Sequence, residues 1–197
     1  MVLLLDNYDS FTYNLQHYLA VAGVECVVKR NNQIRPAEVK SDQYEALVLS
    51  PGPGMPSAAG QLMNVLDAAI GKPVLGVCLG HQAIGLYFGA VLEKSSRPMH
   101  GKISAITTTN HPMFYGINQS CIDVVRYHSL VLREIPNDMQ VISRSKDDNE
   151  VMAIAHMSLP VWGIQFHPEA ALTQFGNQLV ENWVNHFSLS HNENSYI

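Results

Sequence analysis

Charge is what this chain has least of. Only 15% of its 197 residues are Asp, Glu, Lys or Arg, and the net charge is -5. No run of Lys or Arg occurs, so the footprint that neutralises a phosphate backbone is missing and nucleic-acid binding is not expected. A surface so low in charge leaves room for a protein partner and for small neutral or acidic substrates. Cysteine is also scarce: Cys26, Cys78 and Cys121 are widely spaced, with no C-x-x-C pair. That excludes a disulfide framework or zinc ribbon and fits a reducing cytoplasm. No H-E-x-x-H or paired acidic pattern is present, so no metal is assigned. Long apolar runs are absent as well. Met1–Leu5 ends at Asp6 with no basic residues ahead of it, and reads as a first strand rather than a leader or membrane span. With no repeat, low-complexity block or linker, one domain over 1–188 is expected, followed by a frayed polar tail at 189–197.

What is present is an α/β rhythm. Val2–Leu5 and Ala46–Leu49 are continuous apolar runs, as strands buried on both faces require. Between them lie a helix with Phe11, Leu15, Tyr18, Leu19 and Ala22 on one face, capped by Asp9 or Ser10, then a strand at Val24–Val28 and a weak helical piece at Pro36–Lys40. A helix over Ala58–Ile70 and a strand from Val74 follow, and His81–Phe88 is helix-compatible. This predicts a flavodoxin-like, doubly wound, mostly parallel sheet. Beyond Ala90 the pattern changes to short β-rich runs at Ile103–Thr109, Cys121–Tyr127, Met139–Ser143, Val151–His156 and Val161–Phe166, expected to add an antiparallel region. A final helix is expected to carry Leu172, Phe175, Leu179, Trp183 and Phe187 as its apolar stripe.

The chemistry concentrates at Gly76-Val-Cys78-Leu-Gly80. A glycine two before and two after a nucleophilic residue, between an apolar strand and a helix, is the cysteine form of the G-x-S-x-G elbow. A thiol at a helix N-terminus is also well placed to act as its thiolate. Of the nine histidines, His167 stands where Pro168 must stop a strand. If that strand runs parallel to the one before Cys78, both residues reach the same sheet edge. Glu169, two residues on, can orient the imidazole, giving a Cys-His-Glu triad. The Leu79 N–H is one expected oxyanion donor. Ser50-Pro51-Gly52-Pro53-Gly54-Met55-Pro56, a rigid loop after the third strand, offers a second from Gly52 or Gly54. That loop lacks G-K-[ST], so a nucleotide is not expected there.

Taken together, Leu5–Asn14, Leu49–Gly54, Gly76–Gln82, Met99–Gly101, Arg126–Leu130 and Gly163–Glu169 resemble the motifs of the class I (triad) glutamine amidotransferases. Among them, the chain is similar to the small glutaminase subunits of anthranilate synthase and aminodeoxychorismate (para-aminobenzoate) synthase. The resemblance implies that Cys78 attacks the glutamine side-chain amide, that His167 protonates the departing ammonia and that Glu169 orients the ring. It implies glutamine-binding roles for Gly52, Pro53, Gly54, Gln82, Ser129 and Leu130, and an oxyanion hole from Leu79 and Gly54. It further implies a heterodimer with a large chorismate-binding subunit that carries the Mg2+, this chain needing no cofactor. His81 is set aside as a ligand, and Tyr127 and His128 read equally well as packed residues. Ala170 departs from the family pattern, which has a hydroxyl residue there, and puts a helix cap or a bond near Glu169 in question.

The choice between anthranilate and para-aminobenzoate belongs to the partner, with Val28–Asn31 tilting it toward para-aminobenzoate. Two other readings compete: a cysteine hydrolase or peptidase on the same fold, and a non-enzymatic regulatory binding module.

Overall fold

The computed structural model describes residues 1–190. Its strands are β1 (Val2–Asp6), β2 (Cys26–Arg30), β3 (Ala46–Leu49), β4 (Val74–Val77), β5 (Val91–Lys94), β6 (Lys102–Thr107), β7 (Cys121–Arg126), β8 (Leu130–Arg133), β9 (Met139–Arg144), β10 (Val151–His156) and β11 (Val161–Ile164). Its helices are α1 (Thr12–Val21), α2 (Pro36–Val39), α3 (Leu62–Ala69), α4 (Leu79–Tyr87) and α5 (Gly176–His186).

Seven strands form the main sheet in the order β2-β1-β3-β4-β11-β10-β9. The first five are parallel, and β10 and β9 extend the edge antiparallel. The parallel part is the doubly wound order in which the chain goes to one side of β1 and then crosses to the other. The continuous apolar runs are explained by the core. Val2, Leu4, Ala46, Val48, Leu75 and Val77 pack on one face with α1 and α5, while Leu3, Leu5, Leu47, Leu49 and Val74 pack on the other with α2, α3 and α4. Helices cover both faces, so every residue of β1, β3 and β4 is buried and alternation disappears.

The antiparallel region is richer than expected. β9 and β10 join the main sheet, whereas β6 pairs with β7 and β5 with β8 as separate ribbons. β5 and β8 are four residues each, and the sequence pattern predicts neither. Other boundaries move too. β2 begins at Cys26 rather than Val24. A 3-10 turn at Pro56–Ala58 delays α3 to Leu62. α1 is capped by neither Asp9 nor Ser10. Phe11 is its N-cap, while Asp9 accepts the Phe11 N–H at 2.8 Å and Asp6 accepts the Thr12 hydroxyl at 2.9 Å. The expected apolar stripe of the last helix loses its first two members. Leu172 is exposed, and Phe175 caps α5 in the left-handed region at φ 58°. At the other end Leu189, placed in the expected tail, is buried in the core, and residues 191–197 lie outside those described. No helix among the described residues is long and apolar enough to cross a membrane.

Candidate functional site

The site is built at the carboxyl ends of β1, β3, β4 and β11. β4 pairs in parallel with β11, Val77 opposite Ile164, so the residues just past each strand emerge on the same edge. Cys78 follows β4 as the N-cap of α4, with φ 49° and ψ −98°. A non-glycine residue in that region is strained and is held only where its surroundings over-determine it. Here the surroundings are explicit. The Cys78 N–H donates to the Ile164 carbonyl at 2.8 Å, and its own carbonyl takes the Gln82 N–H at 3.0 Å. A Cβ on Gly76 would lie 2.5 Å from the Gly80 backbone, and one on Gly80 would lie 2.5 Å from the Leu49 carbonyl oxygen. The two glycines let strand and helix close around the elbow, as their spacing predicts.

His167 is fixed from both sides. Its N–H donates to the Val125 carbonyl at 3.0 Å, its carbonyl accepts the Thr173 hydroxyl at 2.6 Å, and Thr173 Oγ1 in turn accepts the Val125 N–H at 3.0 Å. The antiparallel excursion therefore anchors the His167 loop to β7. The ring Nδ1 lies 2.6 Å from Glu169 Oε1, with both side chains almost fully buried. Burial works against a charged ring, but hydrogen bonding and charge from Cys78 and Glu169 outweigh it and raise the His167 pKa to about 10. Nε2 makes no well-aligned hydrogen bond among the described residues. The sulfur is nonetheless close enough to favour the protonated ring, and such contacts commonly tighten only once substrate is bound.

The Ser50–Pro56 loop sits at the β1/β3 edge. Asn7 fastens it: the Asn7 N–H donates to Ser50 Oγ at 2.9 Å and its side-chain amide to the Ser50 carbonyl at 2.9 Å. Gly52 presses against both Asn7 and Leu79, since a Cβ there would lie 2.6 Å from the Asn7 carbonyl oxygen and 2.9 Å from Leu79 Cδ2. The loop and the elbow are thus neighbours. The Leu79 N–H, in the first helical position, has no partner inside the helix. Gly54 is exposed with φ +79° and open space around it, and Pro53 beside it is exposed. Gln82 is buried, and its amide donates to the Leu130 carbonyl and to Gln165 Oε1, both at 3.2 Å. Ser129, next to Leu130, is exposed, and its carbonyl accepts the Ser95 N–H at 2.8 Å.

Several residues beyond the sequence-derived set belong here. Gln165, wholly buried, points its amide nitrogen at Cys78 Sγ, 3.7 Å away. The Tyr127 ring meets the His167 ring edge-on at 5.1 Å. His128 is buried, and burial and Arg126 hold its pKa down to about 3. His81, equally buried and lowered to about 3 by that burial, packs against Gly163. Residue 170, where a hydroxyl is expected, is Ala, and Glu169 Oε2 is without a hydrogen-bond partner among the described residues. A cavity of ≈ 640 Å³ lined by His111, Tyr115, Asn182 and His186 shares no residue with this edge.

A buried thiol on a strained elbow, an imidazole held by a carboxylate and a glycine loop beside the first helical N–H form the constellation of thiol-based acyl transfer. Comparison with known proteins agrees. The family model for class-I glutamine amidotransferases matches residues 3–187. Aminodeoxychorismate synthase component 2 of Serratia marcescens is 44% identical, covering 94% of this chain and 100% of that protein. The aminodeoxychorismate/anthranilate synthase component 2 of Bacillus subtilis (strain 168) is 42% identical over 93% of this chain and 95% of its own length. Anthranilate synthase component 2 of Azospirillum brasilense is 41% identical over 94% and 95%. A solved structure from Thermoplasma acidophilum, assigned as a GMP synthase component, superposes with a TM-score of 0.84 at 26% identity, covering 95% of this chain and 94% of that one. The chain belongs to the class-I glutamine amidotransferases.

Proposed function

We propose that this protein is the glutaminase component of a chorismate-using synthase that makes aminodeoxychorismate or anthranilate. In this reading it hydrolyses L-glutamine and passes the ammonia to a large partner subunit. The observation that carries the reading is the buried His167–Glu169 pair on the same sheet edge as the strained Cys78. Relatives named as component 2 of such synthases, matched over nearly their whole length, support the partner and the pathway. The compartment that suits it is the cytoplasm, where the free thiols Cys26, Cys78 and Cys121 stay reduced.

The chemistry follows from the groups present. Cys78 sulfur attacks the side-chain amide carbon of glutamine, and the carbonyl π-pair moves to oxygen, which the N–H groups of Leu79 and the Gly52–Gly54 loop receive. The His167 imidazolium, kept charged by Glu169, gives its Nε2 proton to the amide nitrogen as the C–N bond breaks. Ammonia leaves and a γ-glutamyl thioester remains. The neutral ring then takes a proton from water, hydroxide adds to the thioester carbon, and collapse releases glutamate and the thiolate. Gln82, Ser129 and Leu130 hold the substrate beside this centre.

The test is ammonia release from glutamine, with and without the purified synthase partner. Cys78→Ala is expected to abolish it while leaving synthesis from added ammonia by the complex intact. Glutamine-dependent product formation that survives Cys78→Ala would refute the reading.

A further inference from the structure

We propose that Gln165 is a positioning residue for the nucleophile, presenting an amide N–H to the Cys78 sulfur in an orientation imposed through Gln82 by the Leu130 carbonyl, which His128 and the Arg126–Asp148 ion pair hold in place. The proposal deepens the glutaminase reading and rests on it.

The chain can be followed donor by donor. The Arg126 guanidinium is fully buried and lies 2.9 Å from Asp148 Oδ2. Guanidinium nitrogens only donate, so His128 Nε2, 3.0 Å from Arg126 Nε, must accept. With the neutral ring held there, the proton sits on Nδ1 and is donated to the Leu130 carbonyl at 3.0 Å. A carbonyl only accepts, so Gln82, which also meets that carbonyl, must turn its NH2 toward it. The second hydrogen of that NH2 goes to Gln165, which therefore presents Oε1 to Gln82 and its own NH2 to the sulfur. The acceptor-only Leu130 carbonyl fixes Gln82 and Gln82 fixes Gln165, leaving no freedom to flip either amide, while Arg126 and His128 hold that carbonyl in place.

The consequence is chemical. A group that can only donate suits a sulfur lone pair and suits it better when the sulfur is anionic, the form that attacks. An S–H proton has no acceptor on the Gln165 side. Packing points the same way. Position 165 is wholly buried, where Leu or Met would fill space without an amide to satisfy, and an unsatisfied buried amide is costly. The amide is tolerated because the Gln82 contact on one side and the sulfur on the other use it.

The test is the rate at which iodoacetamide alkylates Cys78, located by peptide mass spectrometry, as a function of pH, together with kcat and KM for glutamine. Gln165→Met is expected to slow alkylation at neutral pH by about five- to tenfold, the scale of one hydrogen bond to a charged group. It is expected to lower kcat in parallel, with KM within about twofold. Gln165→Glu, which turns an oxygen to the sulfur, is expected to slow alkylation more. Gln82→Met, one step upstream, is expected to slow alkylation in the same direction and keeps the proposal testable should the Gln165 variants fail to fold. Wild-type alkylation in folded Gln165→Met, or a loss of kcat with alkylation unchanged, would overturn the positioning role. That outcome is separable from failure of the glutaminase reading, which is judged on Cys78→Ala alone.

Discussion

Glu169→Gln tests how the charged ring is maintained. In the native site hydrogen bonding and charge from Cys78 and Glu169 overcome burial and raise the His167 pKa from the ordinary 6.5 to about 10. That shift favours the imidazolium despite a burial cost that acts against it. Cys78 and then Glu169 raise the pKa, by hydrogen bonding and by charge, Glu169 through its 2.6 Å contact with Nδ1. The amide of Gln keeps the volume and one hydrogen bond but not the charge, so burial gains ground and the ring should titrate clearly lower. The readout is the His167 Cε1–H resonance followed across the alkaline range and assigned by its loss in His167→Gln. Because general acid–base catalysis contributes about 10²–10⁴-fold, glutamine hydrolysis at neutral pH should fall by about a hundredfold or more, mainly in kcat. A ring that still titrates near 10, with kcat close to wild type, would refute the assignment of Glu169 as the orienting carboxylate.

The same linkage sets a stability trend. A raised folded-state pKa adds stability that is full below about 6.5 and is lost as pH climbs through about 10, so the urea midpoint should fall over that window and fall less in Glu169→Gln. Gly80→Ala places a Cβ 2.5 Å from the Leu49 carbonyl oxygen, and backbone cannot yield as a side chain does. A loss of about 3 kcal/mol or more in chemical denaturation is expected, and wild-type stability would contradict the close packing at the elbow. On the donor loop, Gly54→Ala meets open space and should cost only the left-handed backbone penalty of ~1–2 kcal/mol. Gly52→Ala, which collides with Asn7 and Leu79, should damage kcat more severely, and the reverse order would overturn that account of the loop. Arg126→Met strands the buried Asp148 carboxylate and should cost about 3–5 kcal/mol by denaturant titration, an expectation that a change under about 1 kcal/mol would defeat.

How far the sequence can be read depends on burial. β1, β3 and β4 are legible because both faces are covered and the runs are unbroken. β5, with Val91 and Leu92 half-buried and Glu93 and Lys94 exposed, has too little apolar signal in four residues. β8 is hidden because Leu130 reads as the end of a site motif rather than the start of a strand. Leu172 and Phe175 look like helix-face residues, yet the segment before α5 is tied to β7 instead, the Gln174 N–H donating to the Asp123 carbonyl at 2.9 Å. In the site, the elbow, His167 and Glu169 follow from local rules: glycine spacing, a proline stop and a carboxylate two residues away. Gln165 obeys no such rule. A single amide inside Trp162–Phe166 has no periodicity to reveal it, and its partners Gln82 and Cys78 are 83 and 87 residues away in sequence. Arg126 is similar, because a basic residue at a strand end ordinarily reaches water, and only the fold shows it enclosed with Asp148 and His128.

The most direct measurement is the covalent state of Cys78 during turnover. When the protein, with its synthase partner, is mixed with L-glutamine and quenched in acid, intact-mass and peptide mass spectrometry should find a γ-glutamyl group on the Cys78 peptide. The adduct should be absent in Cys78→Ala and should persist longer in Glu169→Gln. Ammonia produced at the wild-type rate by Cys78→Ala, or an adduct found on Cys26 or Cys121 instead, would contradict the account.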